Sequence, residues 1–157
     1  MTKTAPQTAS KGRKTARPRP VTTAALARLR DAGLRPTRQR IALAALLFDG
    51  HPHGRHVTAE MLFDEARQRG ARVSLATIYN TLHQFTEAGL LRELVIDPGT
   101  SHFDTNMGDH HHLYFEDSGE LRDVDAGGIE IRGLPAPPRG AEVASVDVVV
   151  RLRTRRS

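Results

Sequence analysis

Four consecutive helical patterns, each opened by Ser or Thr and closed by Gly, occupy residues 22–89. Ser and Thr side chains cap the first turn of a helix, and Gly readily takes the left-handed conformation that ends one. The opening residues are Thr22 or Thr23, Thr37, Thr58 and Ser74, and the closing ones are Gly33, Gly50, Gly70 and Gly89. We therefore expect four short helices, each packed through an apolar stripe. The predicted stripes are Leu26 and Leu29; Ile41, Ala44, Ala45 and Phe48; Leu62 and Ala66; and Ile78, Leu82 and Phe85.

After Gly89 the spacing of apolar residues changes to one typical of strands. The predicted strands are Leu91–Ile96, Ser101–Thr105, His110–Glu116, Glu120–Val124 and Val143–Leu152. Turns rich in Asp, Pro, Ser and Gly join the first four strands into two hairpins. A helical cluster that ends in a hairpin is the pattern of a winged helix. The last three strands have little helix to cover them, which favours pairing with a second subunit.

These patterns predict an α+β fold with two domains. Residues 21–106 form an N-terminal winged-helix DNA-binding domain, and residues 107–157 form a small α/β dimerisation and sensing domain. Residues 1–20 carry six Lys or Arg, no acid and almost no large apolar residue, which predicts a disordered basic tail. No run of apolar residues is long enough for export or membrane insertion, so we expect a cytoplasmic protein.

Charge and cysteine content narrow the classes of partner. Basic ends suit a polyanion such as double-stranded DNA, whereas residues 101–150, with three Arg and ten acids, suit cations. The absence of Cys excludes thiolate zinc sites, iron–sulfur clusters and disulfides, so that any metal would have His, carboxylate or water ligands. No Ser–His–Asp arrangement supports nucleophilic catalysis, and we expect no enzyme.

The polar face of the fourth helix is suited to the DNA major groove. Small residues precede an amide, a phenol and an imidazole, which can contact thymine methyls, base edges and phosphates. This face contains Ala76, Thr77, Tyr79, Asn80 and His83. At the start of the second helix, Arg35, Arg38 and Arg40 are candidates for phosphate contacts.

The run Asp109-His110-His111-His112 is the strongest candidate for a sensor. Neutral imidazole is a common ligand of transition metals and of haem iron. Alternation in a strand places His110 and His112 on one face and Asp109 and His111 on the other, so one strand could serve two sites. Haem and a divalent metal (iron, manganese or zinc) both remain open as the ligand.

Three stretches of the chain resemble the ferric uptake regulator family: Ala32–Arg40, His56–Glu60 and Ser74–Leu82. Within the family, Phe103–Asn106 before the histidines and Val146–Arg153 at the end most resemble the haem-responsive iron response regulator branch. The resemblance implies a homodimeric transcription regulator, a repressor of iron and haem genes. It also implies haem binding by His110, His111 and His112.

The resemblance also implies particular site residues. DNA contacts fall on Arg40 and Tyr79, with Arg38 and Asn80 adjacent to them. The metal site between the domains falls on His56, Asp104, His112 and Asp123. A second metal site falls on Asp109, His111 and Glu130, and its fourth ligand is missing near Ser145. Where many members have a pair of zinc-binding Cys, this chain has Phe115 and Ser118, so no Cys-based structural zinc is expected.

A rival function comes from a different class of protein. A metal- or haem-binding carrier with basic tails would bind nucleic acid nonspecifically, and a DNA footprint would then be weak and uniform. A regulator should instead protect a defined, partly palindromic sequence.

Overall fold

The computed structural model describes residues 21–155, and its helices begin and end close to the predicted positions. The predicted basic tail, residues 1–20, lies outside the described residues. The elements are α1 (Val21–Asp31), α2 (Arg38–Phe48), β1 (His56–Val57), α3 (Ala59–Gln68), α4 (Leu75–Glu87), β2 (Arg92–Asp97), β3 (Thr100–Asp104), β4 (His110–Phe115), β5 (Glu120–Asp125), a single 3₁₀ turn (Ala126–Gly128) and β6 (Val149–Leu152).

Three predicted helix caps are confirmed. Thr37 accepts the backbone N–H of Arg40 at 3.2 Å, and Ser74 accepts that of Thr77 at 3.1 Å. Thr58 caps α3 in the same way. The four glycines after the helices all have positive φ, the conformation that ends a helix without steric cost only for Gly. The first helix differs, because it already includes Val21, so Thr22 and Thr23 lie inside the helix and not before its start.

The helical core buries α2 on more than one side, which corrects the predicted stripe. Its fully or nearly fully buried residues are Leu43, Ala44, Leu46 and Leu47, whereas Ile41, Ala45 and Phe48 are only partly buried. The reason is that α2 packs between α1 and α3, so one stripe cannot contact both neighbours. On α4 the predicted stripe is confirmed, since Ile78, Leu82 and Phe85 are fully buried.

The strands form two three-stranded sheets, in the orders β1-β3-β2 and β5-β4-β6. The two predicted hairpins are confirmed as antiparallel pairs. The two-residue strand β1 was not predicted, and it pairs with β3. The last strand is shorter than predicted: only Val149–Leu152 is a strand, parallel to β4. His112 lies beside Val149, so the residues from 143 to 146 fall before the start of β4 and have no strand next to them.

The wing hairpin β2–β3 is attached to the second sheet. Leu94 and Ile96 pack with Tyr114 in a small apolar cluster. The Tyr114 hydroxyl donates to the Asp97 carboxylate, and Arg151 donates to it at 3.1 Å. The α+β fold class is confirmed, while the boundary at residue 106 remains a prediction. No helix within residues 21–155 is long and apolar enough to span a membrane.

Candidate metal centre

Two strand pairs bring the predicted metal ligands to one point between the helical part and the second sheet. His56 lies opposite Asp104 in the β1–β3 pair. His112 lies opposite Asp123 in the β4–β5 pair. Directly opposed residues project from the same face of a sheet, so each pair presents one imidazole and one carboxylate.

His110 completes the cluster. It precedes His112 by two positions in β4 and therefore projects from the same face. Its Nε2 lies 2.7 Å from Asp104 Oδ2 and 3.0 Å from His112 Nε2. One ligand atom from each of five residues lies within 4.8 Å of all the others. These residues, called the five-ligand cluster below, are His56, Asp104, His110, His112 and Asp123.

Asn106 holds the outer oxygens of both carboxylates. Its backbone N–H donates to Asp104 Oδ1 at 2.8 Å, and its side-chain amide donates to Asp123 Oδ2 at 2.9 Å. The second carboxylate oxygen of Asp104 faces the imidazoles: Asp104 Oδ2 is 3.4 Å from His56 Nε2 and 3.3 Å from His112 Nε2. Such outer contacts orient metal ligands before the metal arrives.

The electrostatics of the cluster favour an ionised carboxylate beside a basic imidazole. Burial alone would raise the pKa of Asp104, but its close contacts with His112 and His56 and the hydrogen bond from the Asn106 N–H outweigh burial and hold that pKa well below its ordinary value. For His56, burial lowers the pKa, but the close contact with Asp104 and the negative charges of Asp104 and Asp123 outweigh burial and raise the pKa above its ordinary value of 6.5.

The donor set fits a divalent transition metal. His56 Nε2 is buried and has no hydrogen-bond partner, although it lies 3.0 Å from Asp123 Oδ1, because the two groups are not aligned for a hydrogen bond. A buried polar atom without a partner is unfavourable, and a bound cation would satisfy it. His110 Nδ1 lies 2.7 Å from the Gly108 carbonyl, which leaves Nε2 as its inward donor. Three imidazole nitrogens with two carboxylates suit iron(II), manganese(II) or zinc(II).

We expect metal affinity to fall with decreasing pH. A metal needs the neutral imidazole of His56, and the raised pKa of that group means that protons compete with the metal already above pH 6.5. Below that raised pKa, affinity should drop about tenfold per pH unit for each proton displaced. Competition with a chelating dye between about pH 5.5 and 8 measures this. A constant affinity over that range would contradict the assignment of His56 as a ligand.

The second predicted metal site is not brought together. His111 is buried on the opposite face of β4, its Nδ1 has no hydrogen-bond partner, and it lines a cavity of about 280 Å³ together with Asp109. Glu130 is exposed and pairs with Arg132. Within residues 21–155, the five-ligand cluster is the only group of three or more His or acidic residues placed for one metal ion.

The predicted DNA-contact residues lie on α2 and α4. Arg38 and Asn80 are exposed, and the Thr77 hydroxyl lies 2.9 Å from that of Ser74. Arg40 donates to Gln84 Oε1 through Nη2 at 2.6 Å and through Nε at 3.2 Å. Its Nη1 also donates to the Arg35 carbonyl at 2.8 Å. Three of the five N–H groups of Arg40 are therefore used within the protein, which leaves two without a partner in the described part of the chain.

The sequence analysis missed four features of the candidate sites. His110 was predicted as a haem ligand or an outer contact and not as a direct metal ligand, although strand alternation already placed it on the same face as His112. The contacts of Gln84 with Arg40 and of Glu60 with Tyr79 join helices that are distant in sequence, and no local pattern predicts them. Asn106 likewise gave no signal beyond following the Phe103-Asp104-Thr105 run.

The model of the ferric uptake regulator family matches residues 31–151, more than three quarters of the chain. The chain belongs to that family. Solved ferric uptake regulators share its fold. The protein from Pseudomonas aeruginosa, solved with manganese, has a TM-score of 0.65 and 29% sequence identity over 84% of this chain and 98% of its own. The Vibrio cholerae regulator, at 22% identity and a TM-score of 0.63, shows the fold alone.

Curated members of the ferric uptake regulator family with detectable sequence similarity include peroxide-responsive repressors. Those of Staphylococcus epidermidis and Staphylococcus aureus are each 36% identical to this chain over 98 residues. The match covers 62% of this chain and 63% or 64% of the relative, just under two thirds of its length.

Proposed function

We propose that this protein is a cytoplasmic DNA-binding transcription regulator, a repressor of iron and haem homeostasis genes, that responds to a divalent metal at the five-ligand cluster. The residues of the five-ligand cluster come from two different sheets, and this arrangement supports the proposal. His56 and Asp104 come from the sheet attached to the helices, whereas His110, His112 and Asp123 come from the other sheet. A metal would therefore tie the two parts together. The manganese-bound Pseudomonas aeruginosa regulator supports this proposal.

The chain offers a short route from the metal to the DNA surface. His56 and Val57 form β1, Thr58 caps α3, and Glu60 in the first turn of α3 contacts Tyr79 on α4. A change in the position of His56 on metal binding is therefore carried directly to the start of α3.

The proposed DNA surface consists of one part that contacts phosphates and one that contacts bases. Arg38 and Arg40 at the start of α2 would bind phosphates. Thr77, Tyr79 and Asn80 would meet base edges in the major groove. The family membership favours this reading over a carrier with nonspecific DNA affinity, which would give this surface no role.

We further propose that the protein acts as a homodimer. The second sheet has three strands, and Tyr114 is the only large apolar side chain that it buries within residues 21–155. Leu134, Val143 and Val150 remain exposed nearby in sequence. A second copy covering this region would bury them and present two α4 helices to a partly palindromic operator.

Because the chain resembles the iron response regulator branch, we propose haem as a signal that competes with the divalent metal. The three histidines proposed for haem differ in their access to a cavity. His110 lines a cavity of about 570 Å³ that opens beside Asp123. His111 lines only the smaller cavity, and His112 is fully buried. Haem entering the larger cavity would take His110 from the metal and release DNA.

A second metal at Asp109, His111 and Glu130 would require Glu130 to leave Arg132.

The peroxide-responsive relatives favour a second candidate signal. Peroxide would act on the same metal-loaded site, because the identity to these repressors, 36% over 98 residues, supports a common mode of sensing. If peroxide abolished operator binding of the iron(II) form but not of the forms loaded with other metals, this would distinguish the peroxide signal from haem.

The test is a parallel titration of metal-free protein on a labelled operator with iron(II), manganese(II), zinc(II) and haem. We expect at least one divalent metal to tighten binding by about tenfold or more, and haem to reverse it, consistent with coupling energies of 1–3 kcal/mol. His110→Ala should remove the haem effect, whereas His111→Ala should leave it. A weak, uniform footprint under all conditions would favour the carrier instead.

A further inference from the structure

The Tyr79 phenol on α4 donates its hydrogen to Glu60 on α3, with 2.6 Å between Tyr79 Oη and Glu60 Oε1. Glu60 lies in the first turn of α3, where the helix end favours a negative charge. The hydrogen bond from Tyr79 lowers the pKa of Glu60 further, so this carboxylate is ionised at neutral pH and has no hydrogen of its own. The single phenol hydrogen is therefore the one in this contact.

On the side turned away from Glu60, the Tyr79 phenol oxygen has lone pairs but no hydrogen. In the major groove, hydrogens that can meet a lone pair belong to the amino groups of adenine and cytosine. Guanine O6 and N7, thymine O4 and the phosphate oxygens are all acceptors. A phenol oriented in this way can accept a hydrogen bond from adenine or cytosine but cannot donate one to the others.

We propose that Glu60 fixes the hydrogen-bond polarity of Tyr79, so that this tyrosine selects adenine or cytosine at one position of each operator half-site. The inference rests on the proposed DNA-binding function and names the base edge that one side chain recognises. Glu60 is a positioning residue, because it acts on DNA through Tyr79.

Packing between the helices does not explain Glu60. Buried apolar side chains, among them Leu62 on α3 and Ile78 and Leu82 on α4, already hold the two helices together. Glu60 is exposed, and in the described part of the chain no Lys or Arg lies within ion-pair distance of it. Its charge beside a DNA surface repels phosphates. The first turn of α3 stabilises the charge of Glu60, and the hydrogen bond that this carboxylate accepts from Tyr79 fixes the position of the phenol hydrogen.

The contact can be tested first without DNA. The chain has two Tyr and no Trp, so Tyr114→Phe leaves Tyr79 as the only phenol. The hydrogen bond to Glu60 raises the pKa of Tyr79 above 10.0, and absorbance titration of this variant should show it. Adding Glu60→Ala should move the midpoint back toward 10.0. An unmoved midpoint would show that the contact is absent in solution and would overturn the proposal.

The decisive experiment selects binding sites from a pool of randomised duplexes with wild type, Tyr79→Phe, Glu60→Ala and Glu60→Gln. Wild type should prefer adenine or cytosine over guanine or thymine by about fivefold at one position per half-site, the value of one hydrogen bond. Tyr79→Phe and Glu60→Ala should reduce this preference below about twofold. Glu60→Gln keeps an acceptor oxygen and should retain it. Tyr114→Phe, the matched control on the other phenol, should not alter it.

The outcomes separate this proposal from the function on which it rests. If wild type recovers no defined sequence, both fail. If it recovers an operator but Tyr79→Phe keeps the same base preference, the regulator stands and the polarity proposal is overturned. A preference changed by Glu60→Ala but not by Tyr79→Phe would show that Glu60 contacts the base itself, which also overturns it.

Discussion

Replacing Asp104 by Asn is expected to abolish metal-dependent operator binding. Asp104 Oδ2 lies within 3.4 Å of the Nε2 atoms of His56, His110 and His112, so it is the carboxylate that all three imidazoles share. The neutral amide removes the charge that balances a cation and is a poor metal ligand. Because losing an outer contact alone costs 10–100-fold in metal affinity, losing this ligand should cost more than about 100-fold. Dye competition measures the loss, and a gel shift with added metal measures its effect on DNA.

Glu142→Gln provides the matched control for Asp104→Asn. Like Asp104→Asn, it converts an acid to its amide, but Glu142 is exposed and lies outside the five-ligand cluster. Metal affinity and operator binding should not change. Thermal unfolding of metal-free Asp104→Asn shows whether the fold survives, because Asp104 is fully buried. A folded Asp104→Asn protein with wild-type metal affinity would place the regulatory metal elsewhere.

The helical half could be predicted because its information is local. Thr37, Thr58 and Ser74 each cap the helix that follows them, and the closing glycines mark the ends. The stripe on α2 was wrong because two neighbouring helices cover that helix, and a single stripe assumes one partner. Local periodicity shows that a helix is amphipathic, but it does not show how many surfaces pack on it.

The metal site was predicted only in part because it depends on strand register. Alternation in β4 separates His111 from His110 and His112, and this much follows from the sequence. The pairing of His56 with Asp104 depends on β1, a strand of two residues that no pattern indicates. The four ligands predicted at this site came from family resemblance, and the fifth, His110, came from the geometry of β4.

The segment after β5 was the least predictable. Val143–Leu152 has the composition of one long strand, but residues 143–146 fall before the start of β4, and only Val149–Leu152 forms a strand beside it. A β-branched run indicates that a strand can form, whereas the neighbouring chain decides how much of it does. In the proposed dimer, a second subunit would supply further neighbours for the exposed side chains of this region.

Combining Tyr79→Ala with Arg40→Ala is expected to lower operator affinity by at least about 30-fold, since each contact of this kind is worth about 1–3 kcal/mol. The two side chains act on different parts of DNA. Tyr79 would meet a base edge, whereas Arg40 has two N–H groups left for phosphate and also fixes α2 against α4 through Gln84. Fluorescence anisotropy at several salt concentrations should show a shallower salt dependence, because one phosphate contact fewer releases fewer counterions.

Arg139→Ala serves as the control for the double variant, because it removes an exposed positive charge from the segment between β5 and β6 and should leave affinity nearly unchanged. Sedimentation should show the same oligomeric state for all three proteins. If the double variant binds the operator as tightly as wild type does, α4 is not the recognition helix. If it loses affinity equally for operator and random DNA, these residues contribute charge and no selectivity. Only a loss concentrated on the operator fits a surface in which Arg40 holds the helix in place and Tyr79 recognises the base.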